Sequence, residues 1–121
     1  MKTDRRVRQP GTLKGWLVWQ LRRLSYKWPP RNEALRKARI ERGKYTCAKC
    51  KKIYGNKDIS LDHIEPVIDP KRGWQNFDVY IERLFCSAEG FQVLCHKCHD
   101  LKTAKEKQIR KEYKRRTKEA A

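Results

Sequence analysis

The chain has 121 residues, of which 38% are hydrophobic and 37% are charged. This length allows one compact domain with extensions, and a domain of that size often needs a cross-link or a bound metal for stability. No stretch approaches the roughly 20 apolar residues of a membrane span, and no signal-like apolar core follows Met1. We therefore expect a cytosolic protein with reduced thiols and no membrane partner.

The formal net charge of +17 is concentrated at the two ends of the chain. Residues 1–45 carry 14 Lys and Arg against 3 Asp and Glu, and residues 101–121 carry 9 against 3. Residues 46–100 carry 8 of each. Basic surfaces neutralise phosphates and release counterions, so the charge pattern favours a nucleic-acid partner, double-stranded DNA above others. A membrane surface is the alternative, but residues 101–121 lack the wide apolar face that such binding requires.

The N-terminal part, residues 1–43, reads as a basic helical extension. Residues 1–11 are predicted to be a disordered basic lead. From Thr12, a plausible N-cap, apolar side chains recur at helical spacing: Leu13, Trp16, Leu17, Leu21 and Leu24. A second short helix is predicted from about Asn32 to Arg42, after Pro29-Pro30, capped by Asn32 and stopped by Gly43.

The neutral middle part, residues 44–107, is predicted to be a small α+β module. Residues 59–63 alternate as a short strand does, and residues 91–94 form a second short strand. Between them, apolar residues at helical spacing from Trp74 to Phe85 predict an amphipathic helix. Beyond His99 the chain is predicted to be helical to its end, so residues 108–121 form a basic C-terminal helical extension.

Four of the five cysteines form a paired motif, Cys47-x-x-Cys50 and Cys95-x-x-Cys98. Two residues between cysteines let both thiolates reach one ion, and two such turns complete a tetrahedron with Zn–S bonds of about 2.3 Å. Four sulfur ligands leave no open position, so the predicted Zn²⁺ site is structural. Cys86 lies outside the pattern, and we expect it to be a buried, inert thiol.

Between the two cysteine pairs stands Leu61-Asp62-His63-Ile64, a carboxylate beside an imidazole at the end of a predicted strand. Adjacent strand residues point to opposite faces, so a strand end or bulge is needed to bring both to one site. His99 directly follows the last zinc cysteine. Joining the two cysteine pairs would therefore bring Asp62 and His63 near His99.

These residues resemble the HNH nucleases of the ββα-metal (His-Me finger) fold. The resemblance covers about residues 44–107, is closest to small phage and prophage HNH proteins with four zinc cysteines, and is most specific over residues 94–103, Leu-Cys-His-Lys-Cys-His-Asp-Leu-Lys-Thr. It implies a DNA endonuclease that leaves 5′-phosphate and 3′-hydroxyl ends. In it, His63 is the general base, Asp62 and His99 hold a catalytic divalent ion, and the four cysteines hold zinc.

The chain departs from the family pattern at one position. The middle Asn of the family motif, nine residues before the last His, is replaced by Gly90. That Asn braces the loop after the first strand, so here the brace comes from the backbone, from another side chain, or not at all. Asn76 is a candidate if residues 74–85 fold back over the hairpin.

Phosphodiester hydrolysis needs a base to activate water and a cation to neutralise developing charge. Neutral His63 suits the first task. One carboxylate and one imidazole, Asp62 and His99, do not decide among Mg²⁺, Mn²⁺, Ni²⁺ and Zn²⁺ for the second. Charge alone selects the predicted DNA contacts, which are Arg83, Lys102, Lys105, Arg110 and Lys114.

Two alternatives to an endonuclease stay open. One is a non-catalytic zinc-stabilised module that binds nucleic acid without cutting it. The other is an accessory factor of a phage DNA-packaging machine or a similar larger assembly. We favour a monomer, and one active site in a monomer should nick DNA, but the sequence fixes neither the oligomeric state nor the target.

Overall fold

The computed structural model describes residues 11–120, with side chains through residue 118. The predicted disordered lead lies almost entirely outside the described residues. These residues form four α-helices, five short strands and two 3-10 turns, which are at Asn56–Asp58 and Ala88–Gly90. The helices are α1 (Leu13–Ser25), α2 (Pro29–Ala38), α3 (Phe77–Leu84) and α4 (His96–Ala120), and the strands are β1 (Arg39–Glu41), β2 (Lys44–Thr46), β3 (Ile53–Gly55), β4 (Ile59–His63) and β5 (Phe91–Cys95).

The first helix begins where the sequence predicts. Thr12 has an extended backbone, and its hydroxyl oxygen accepts a hydrogen bond of 3.0 Å from the backbone N–H of Gly15. This bond satisfies one of the donors that the first helical turn leaves free.

The predicted bounds of the second helix were wrong at both ends. The helix begins at Pro29, because proline has the φ angle of a first helical turn and its missing N–H would have no partner there. It ends at Ala38, and Arg39 starts β1 instead of continuing the helix. Gly43 lies in the turn between β1 and β2 and has a φ of +74°. Glycine is favoured there because it has no Cβ atom to oppose a positive φ.

Two small antiparallel sheets follow. In the first, the strand order is β1-β2-β3, and the first cysteine pair lies in the turn between β2 and β3. In the second, β4 pairs with β5 in a regular register from Ile59 opposite Cys95 to His63 opposite Phe91. Both predicted strands of this hairpin are present, and β5 extends one residue further than predicted, to Cys95.

α2 packs on β5, and two further helices follow the first sheet in the chain. α4 begins at His96, directly after β5 and three residues earlier than predicted, and packs on both β4 and β5. α3 occupies part of the predicted amphipathic segment. Its N-cap is Asn76, whose side-chain oxygen accepts a hydrogen bond of 2.8 Å from the backbone N–H of Val79.

Two clusters of buried residues each include residues of β5. One contains Ala34 of α2, Ala88 and Phe91, with Trp28, Leu61 and Cys86 packed against it. The other is built around Cys47, Leu94 and Cys95. Because α2 supplies residues to the first cluster, it packs as part of the same core as β5.

The predicted α+β class is confirmed: small antiparallel sheets and helices share one small core. The division into residues 1–43, 44–107 and 108–121 stays a prediction. Among the described residues, no helix is both long enough and apolar enough to span a lipid bilayer.

We predict that Trp28→Ala lowers the free energy of unfolding by about 3 kcal/mol, as large-to-small core changes do. The indole packs in the first core cluster, and its Nε1–H donates a 2.6 Å hydrogen bond to the carbonyl of Cys86. Urea unfolding of the zinc-loaded protein measures the loss. The control is Trp16→Ala on α1, where the side chain is 38% exposed and the loss should stay under about 1 kcal/mol. Equal losses would show that α2 is not anchored through Trp28.

Candidate functional site

The two cysteine pairs meet in one cluster. The Sγ atoms of Cys47, Cys50, Cys95 and Cys98 all lie within 4.8 Å of one another, and those of Cys50 and Cys95 are 4.0 Å apart. Sulfur atoms bound tetrahedrally at about 2.3 Å from one ion would be roughly 3.8 Å apart. The four cysteines are therefore placed to hold a structural zinc ion.

Backbone hydrogen bonds hold the first cysteine turn in position. The Cys47 N–H donates to the carbonyl of Lys52 at 2.9 Å, and the Lys51 N–H donates back to Cys47 at 3.0 Å. Lys51 adopts a φ of +65°, which closes the turn after Cys50. The Ala48 N–H donates to the carbonyl of Val93 at 2.8 Å, so the turn is tied directly to β5.

The thiols of the cluster differ in acidity. Burial raises the pKa of Cys47, but hydrogen bonds from the backbone of Cys50, Cys95 and Lys49 outweigh it and lower that pKa to about 6. The side-chain hydrogen bond to Cys95, together with burial, raises the pKa of Cys98 to about 12. Four neighbouring thiolates repel one another, so the fully deprotonated cluster needs a cation such as Zn²⁺.

Cys86 lies apart from this cluster, as expected. It is partly buried against the first core cluster, and burial raises the pKa of its thiol. Both features suit an unreactive side chain.

We predict that Cys47→Ser abolishes stoichiometric zinc binding and unfolds the module, because Cys47 is fully buried and zinc binding contributes roughly 10–16 kcal/mol in small zinc domains. Zinc content per chain and circular dichroism measure both effects. Cys86→Ser is the matched control and should keep one zinc per chain. Full zinc content and native melting in Cys47→Ser would contradict a four-cysteine site.

A second polar cluster lies between β4 and α4. The Oδ1 atom of Asp62 is 3.8 Å from Nε2 of His99. Its Oδ2 atom accepts a hydrogen bond of 3.1 Å from Gln92 Nε2 and forms an ion pair of 3.0 Å with Lys102 Nζ. Asp62 is only 15% exposed, whereas His99 is 36% exposed. The structure thus brings together the two residues that the sequence predicts as ligands of a divalent ion.

The Asp62 carboxylate and the His99 imidazole are close enough to reach one divalent ion. Ions such as Mg²⁺ use one or two protein carboxylates and fill their other positions with water and phosphate oxygens. A separation of 3.8 Å lies within the span of two ligands of one ion, roughly twice a bond of 2.1 Å. Asp62 and His99 are therefore the residues that would hold a divalent ion here.

His63 lies on the other face of β4. The strand is regularly paired through Asp62 and His63, so the two side chains leave opposite faces, without the bulge that one shared face would require. The His63 ring packs on Phe91 with 4.7 Å between centroids, and its Nε2–H donates to the carbonyl of Leu84 at 2.9 Å. This bond fixes the tautomer and leaves Nδ1 as the ring nitrogen able to accept a proton.

The surroundings of His63 keep its ring neutral. Burial lowers its pKa below the ordinary value of 6.5, and the positive charges of Arg31 and Arg22 lower it further, against the opposing effect of the Leu84 carbonyl and of Asp62. Arg31 is on α2, and its guanidinium lies 5.4 Å from the Phe91 ring centroid. The N-terminal helices therefore contribute charge to this site.

The loop after β4 is braced without an asparagine. The backbone N–H of Ile64 donates to the carbonyl of Gly90 at 2.9 Å, and Lys102 Nζ donates to the carbonyl of His63 at 3.0 Å. The sequence left open whether the backbone, another side chain or nothing replaces the asparagine. Here the Gly90 backbone and the Lys102 side chain replace it together. Asn76 caps α3 instead.

We predict that Gly90→Ala lowers the free energy of unfolding by about 1–3 kcal/mol, the usual cost of overpacking. A Cβ atom at this position would lie 2.6 Å from Sγ and 3.0 Å from Cβ of Cys86. Adding Cys86→Ala removes the nearer atom and should recover part of the loss in a double-mutant cycle followed by urea unfolding. If the two effects simply add, the Cys86 contact is not the reason for glycine.

A cleft of about 880 Å³ opens beside the Asp62 cluster, between α4 and the loop that follows β4. Its lining contains six basic side chains against three acidic ones, so it suits an anionic ligand. The six are Lys49, Lys71, Arg72, Arg83, Lys102 and Lys105.

The predicted DNA contacts divide between two places. Arg83, Lys102 and Lys105 line the cleft, whereas Arg110 and Lys114 lie further along α4 and do not. Arg83 has a buried Nε atom with no hydrogen-bond partner among the described residues, and one of its terminal nitrogens is 3.9 Å from Glu65.

Sequence reasoning missed the partners that organise this site. Glu106 accepts a hydrogen bond of 2.7 Å from Lys102, one helical turn earlier on α4. The four-residue spacing was a visible signal for that pair. No sequence signal indicated that Gln92 faces Asp62 across the strands, that the Leu84 carbonyl orients His63, or that Arg31 lies nearby.

Comparison of the chain with protein-family models, with curated proteins and with solved structures finds no match in any of the three.

Proposed function

We propose that the protein is an HNH-type endonuclease of the ββα-metal fold that hydrolyses DNA phosphodiester bonds with the help of a divalent ion. The observation that carries the proposal is the meeting of Asp62 and His99, 3.8 Å apart. Gln92 and Lys102, which both contact Asp62, line the basic cleft. The order of the elements also supports it, since two paired strands lead through the second cysteine pair directly into a helix, and these residues carry the HNH-like motif.

His63 suits the role of general base. Its ring is neutral at neutral pH, one nitrogen is held by a backbone carbonyl, and the other is available to take a proton from water. β4 ends at His63, and the proposal requires a phosphate that lies across this strand end and contacts both faces of the strand. There Asp62 and His63 could act on one phosphate from opposite sides.

The proposed reaction is an in-line displacement. A water oxygen bonds to phosphorus while its proton passes to His63, and the bond from phosphorus to the 3′ oxygen breaks, which leaves a 5′-phosphate and, once protonated, a 3′-hydroxyl. A divalent ion, when bound by Asp62 and His99, supplies Lewis-acid stabilisation of charge on the phosphate and the leaving oxygen. Mg²⁺, Mn²⁺, Ni²⁺ and Zn²⁺ are all candidates.

The basic side chains hold the substrate. Arg83 and Lys105 line the cleft, and Arg110 and Lys114 extend the basic surface along α4. These side chains would contact successive phosphates of a DNA backbone that runs outward from the cleft. Phosphate contacts of this kind position DNA without reading its sequence. A monomer with one such centre nicks one strand.

Binding without cleavage is the second candidate function. The basic charge supports it equally well, and the Lys102 ammonium on Asp62 neutralises the carboxylate that a divalent ion would need. An accessory role in a phage DNA-packaging machine rests on the family resemblance alone.

We expect His63→Ala to lower the rate of plasmid nicking in Mg²⁺ or Mn²⁺ by about 100-fold or more, the usual contribution of a general base. Asp62→Ala should abolish nicking, because the ion loses its carboxylate. The matched control is His96→Ala, an exposed imidazole in the second cysteine turn that should nick like the wild type. Gel-shift binding is measured in parallel. If the wild type shifts DNA but never nicks it, the binding module is the correct reading.

A further inference from the structure

The Lys102 ammonium lies among three oxygen acceptors. Its Nζ atom is 2.7 Å from Glu106 Oε2, 3.0 Å from Asp62 Oδ2 and 3.0 Å from the backbone carbonyl of His63. The contacts with Glu106 and with the His63 carbonyl are hydrogen bonds, and the contact with Asp62 is an ion pair. The ammonium is charged at neutral pH, because the ordinary pKa of a lysine side chain is about 10.4.

This arrangement differs from the surface ion pairs of the same protein. Lys102, Asp62 and Glu106 are 23%, 15% and 24% exposed, whereas Lys37 and Glu33 of α2 are 58% and 52% exposed. Solvent screens exposed pairs until they contribute little, but it screens this cluster much less. A positive charge placed here therefore influences what else can bind to Asp62.

We infer that Lys102 and a divalent ion compete for Asp62, and that Glu106 retains Lys102 once the ion has taken the carboxylate. The inference rests on the metal centre of the proposed function and concerns how that centre is regulated. Lys102 acts as a built-in counter-ion of the centre and is a positioning residue, because it acts through Asp62.

The competition follows from where the charges lie. Asp62 has one oxygen facing His99 and the other bonded to Lys102 and Gln92. One divalent ion held between Asp62 and His99 would place a charge of +2 beside the Lys102 ammonium in a partly buried site. Like charges at that range disfavour each other strongly, so the ammonium must move away as the ion binds.

Glu106 determines where the ammonium goes. It is one helical turn from Lys102 on α4 and makes the shorter of the two carboxylate contacts. Both residues also line the basic cleft. An ammonium released by Asp62 and retained by Glu106 stays at the cleft wall, where a substrate phosphate can accept its hydrogen bonds. Ion binding would thus make Lys102 available to the substrate.

The test measures the affinity of the zinc-loaded full-length protein for Mn²⁺, from the electron paramagnetic resonance signal of free Mn²⁺. Lys102→Met removes the competing charge and should tighten Mn²⁺ binding by about tenfold or more, within the usual range of coupling between two binding events. Lys105→Met is the matched control, because it removes the same charge from the same helix and the same cleft. It should change the affinity by no more than about twofold.

Each other result overturns the inference. If Lys102→Met binds Mn²⁺ like Lys105→Met, no specific competition exists. If Lys102→Met binds Mn²⁺ more weakly than the wild type, Lys102 only braces the His63 carbonyl. If neither the wild type nor any variant binds Mn²⁺ while all keep one zinc per chain, the proposed metal centre itself fails and the inference fails with it.

The role of Glu106 is tested in two backgrounds. Glu106→Gln should weaken Mn²⁺ binding severalfold when Lys102 is present, because the displaced ammonium loses its acceptor. It should have a smaller effect in Lys102→Met. Equal weakening in both backgrounds would mean that Glu106 acts on the ion directly and not through Lys102.

A measurement on the wild type does not depend on whether a variant folds. In protein labelled with ¹⁵N-lysine, the Nζ signal of Lys102 should shift on titration with Mg²⁺, and its midpoint should match that of the Asp62 carboxyl carbon signal. An Asp62 signal that titrates while the Lys102 signal stays fixed would show that the ammonium does not move, and would overturn the inference.

Discussion

The four-cysteine cluster is the constraint on which the rest of the molecule depends. It joins the turn between β2 and β3 to the junction of β5 and α4, two segments far apart in sequence. Cys95 is the last residue of β5, and Cys98 lies in the first turn of α4, so the geometry of the cluster sets the direction in which α4 leaves the hairpin. That direction places His99 and Lys102 over Asp62. A chain this small, with two modest core clusters, has little other means of fixing a helix so accurately.

The β4–β5 hairpin separates two kinds of chemistry onto its two faces. The face under α4 carries the Asp62 carboxylate, its hydrogen bonds and the cleft with its basic lining. The face toward α2 and α3 carries the His63 imidazole, packed on Phe91 and close to the positive charge of Arg31. Regular strand pairing makes this separation unavoidable, because consecutive residues alternate between faces. The proposed reaction therefore requires a phosphate that contacts both faces where the strand ends at His63.

The brace of the hairpin shows how one interaction can serve two purposes. Gly90 has no side chain, and Cys86 leaves no space for one. The carbonyl of Gly90 nevertheless accepts a hydrogen bond from the Ile64 N–H and holds it in position. Lys102 completes the brace through the His63 carbonyl while neutralising Asp62. Structural support and charge balance therefore depend on one ammonium group, that of Lys102. α2 likewise has two roles. Its N-cap residue, Trp28, anchors it to Cys86, and Arg31 within it lies near His63.

The sequence by itself determined the features that depend on local pattern. Cysteine spacing predicted the ligand cluster, alternation predicted β4 and β5, and Thr12 predicted the start of α1, because each signal is complete within a few residues. Only the tertiary structure decided that α2 gives way to β1 at Arg39, since strand pairing with β2 outweighs the local helical preference there. It also decided the partners of the candidate site, because the contacts of Asp62 with Gln92 and of His63 with Leu84 join residues 30 and 21 positions apart. Contacts across such distances depend on how the elements pack, and no short pattern encodes that.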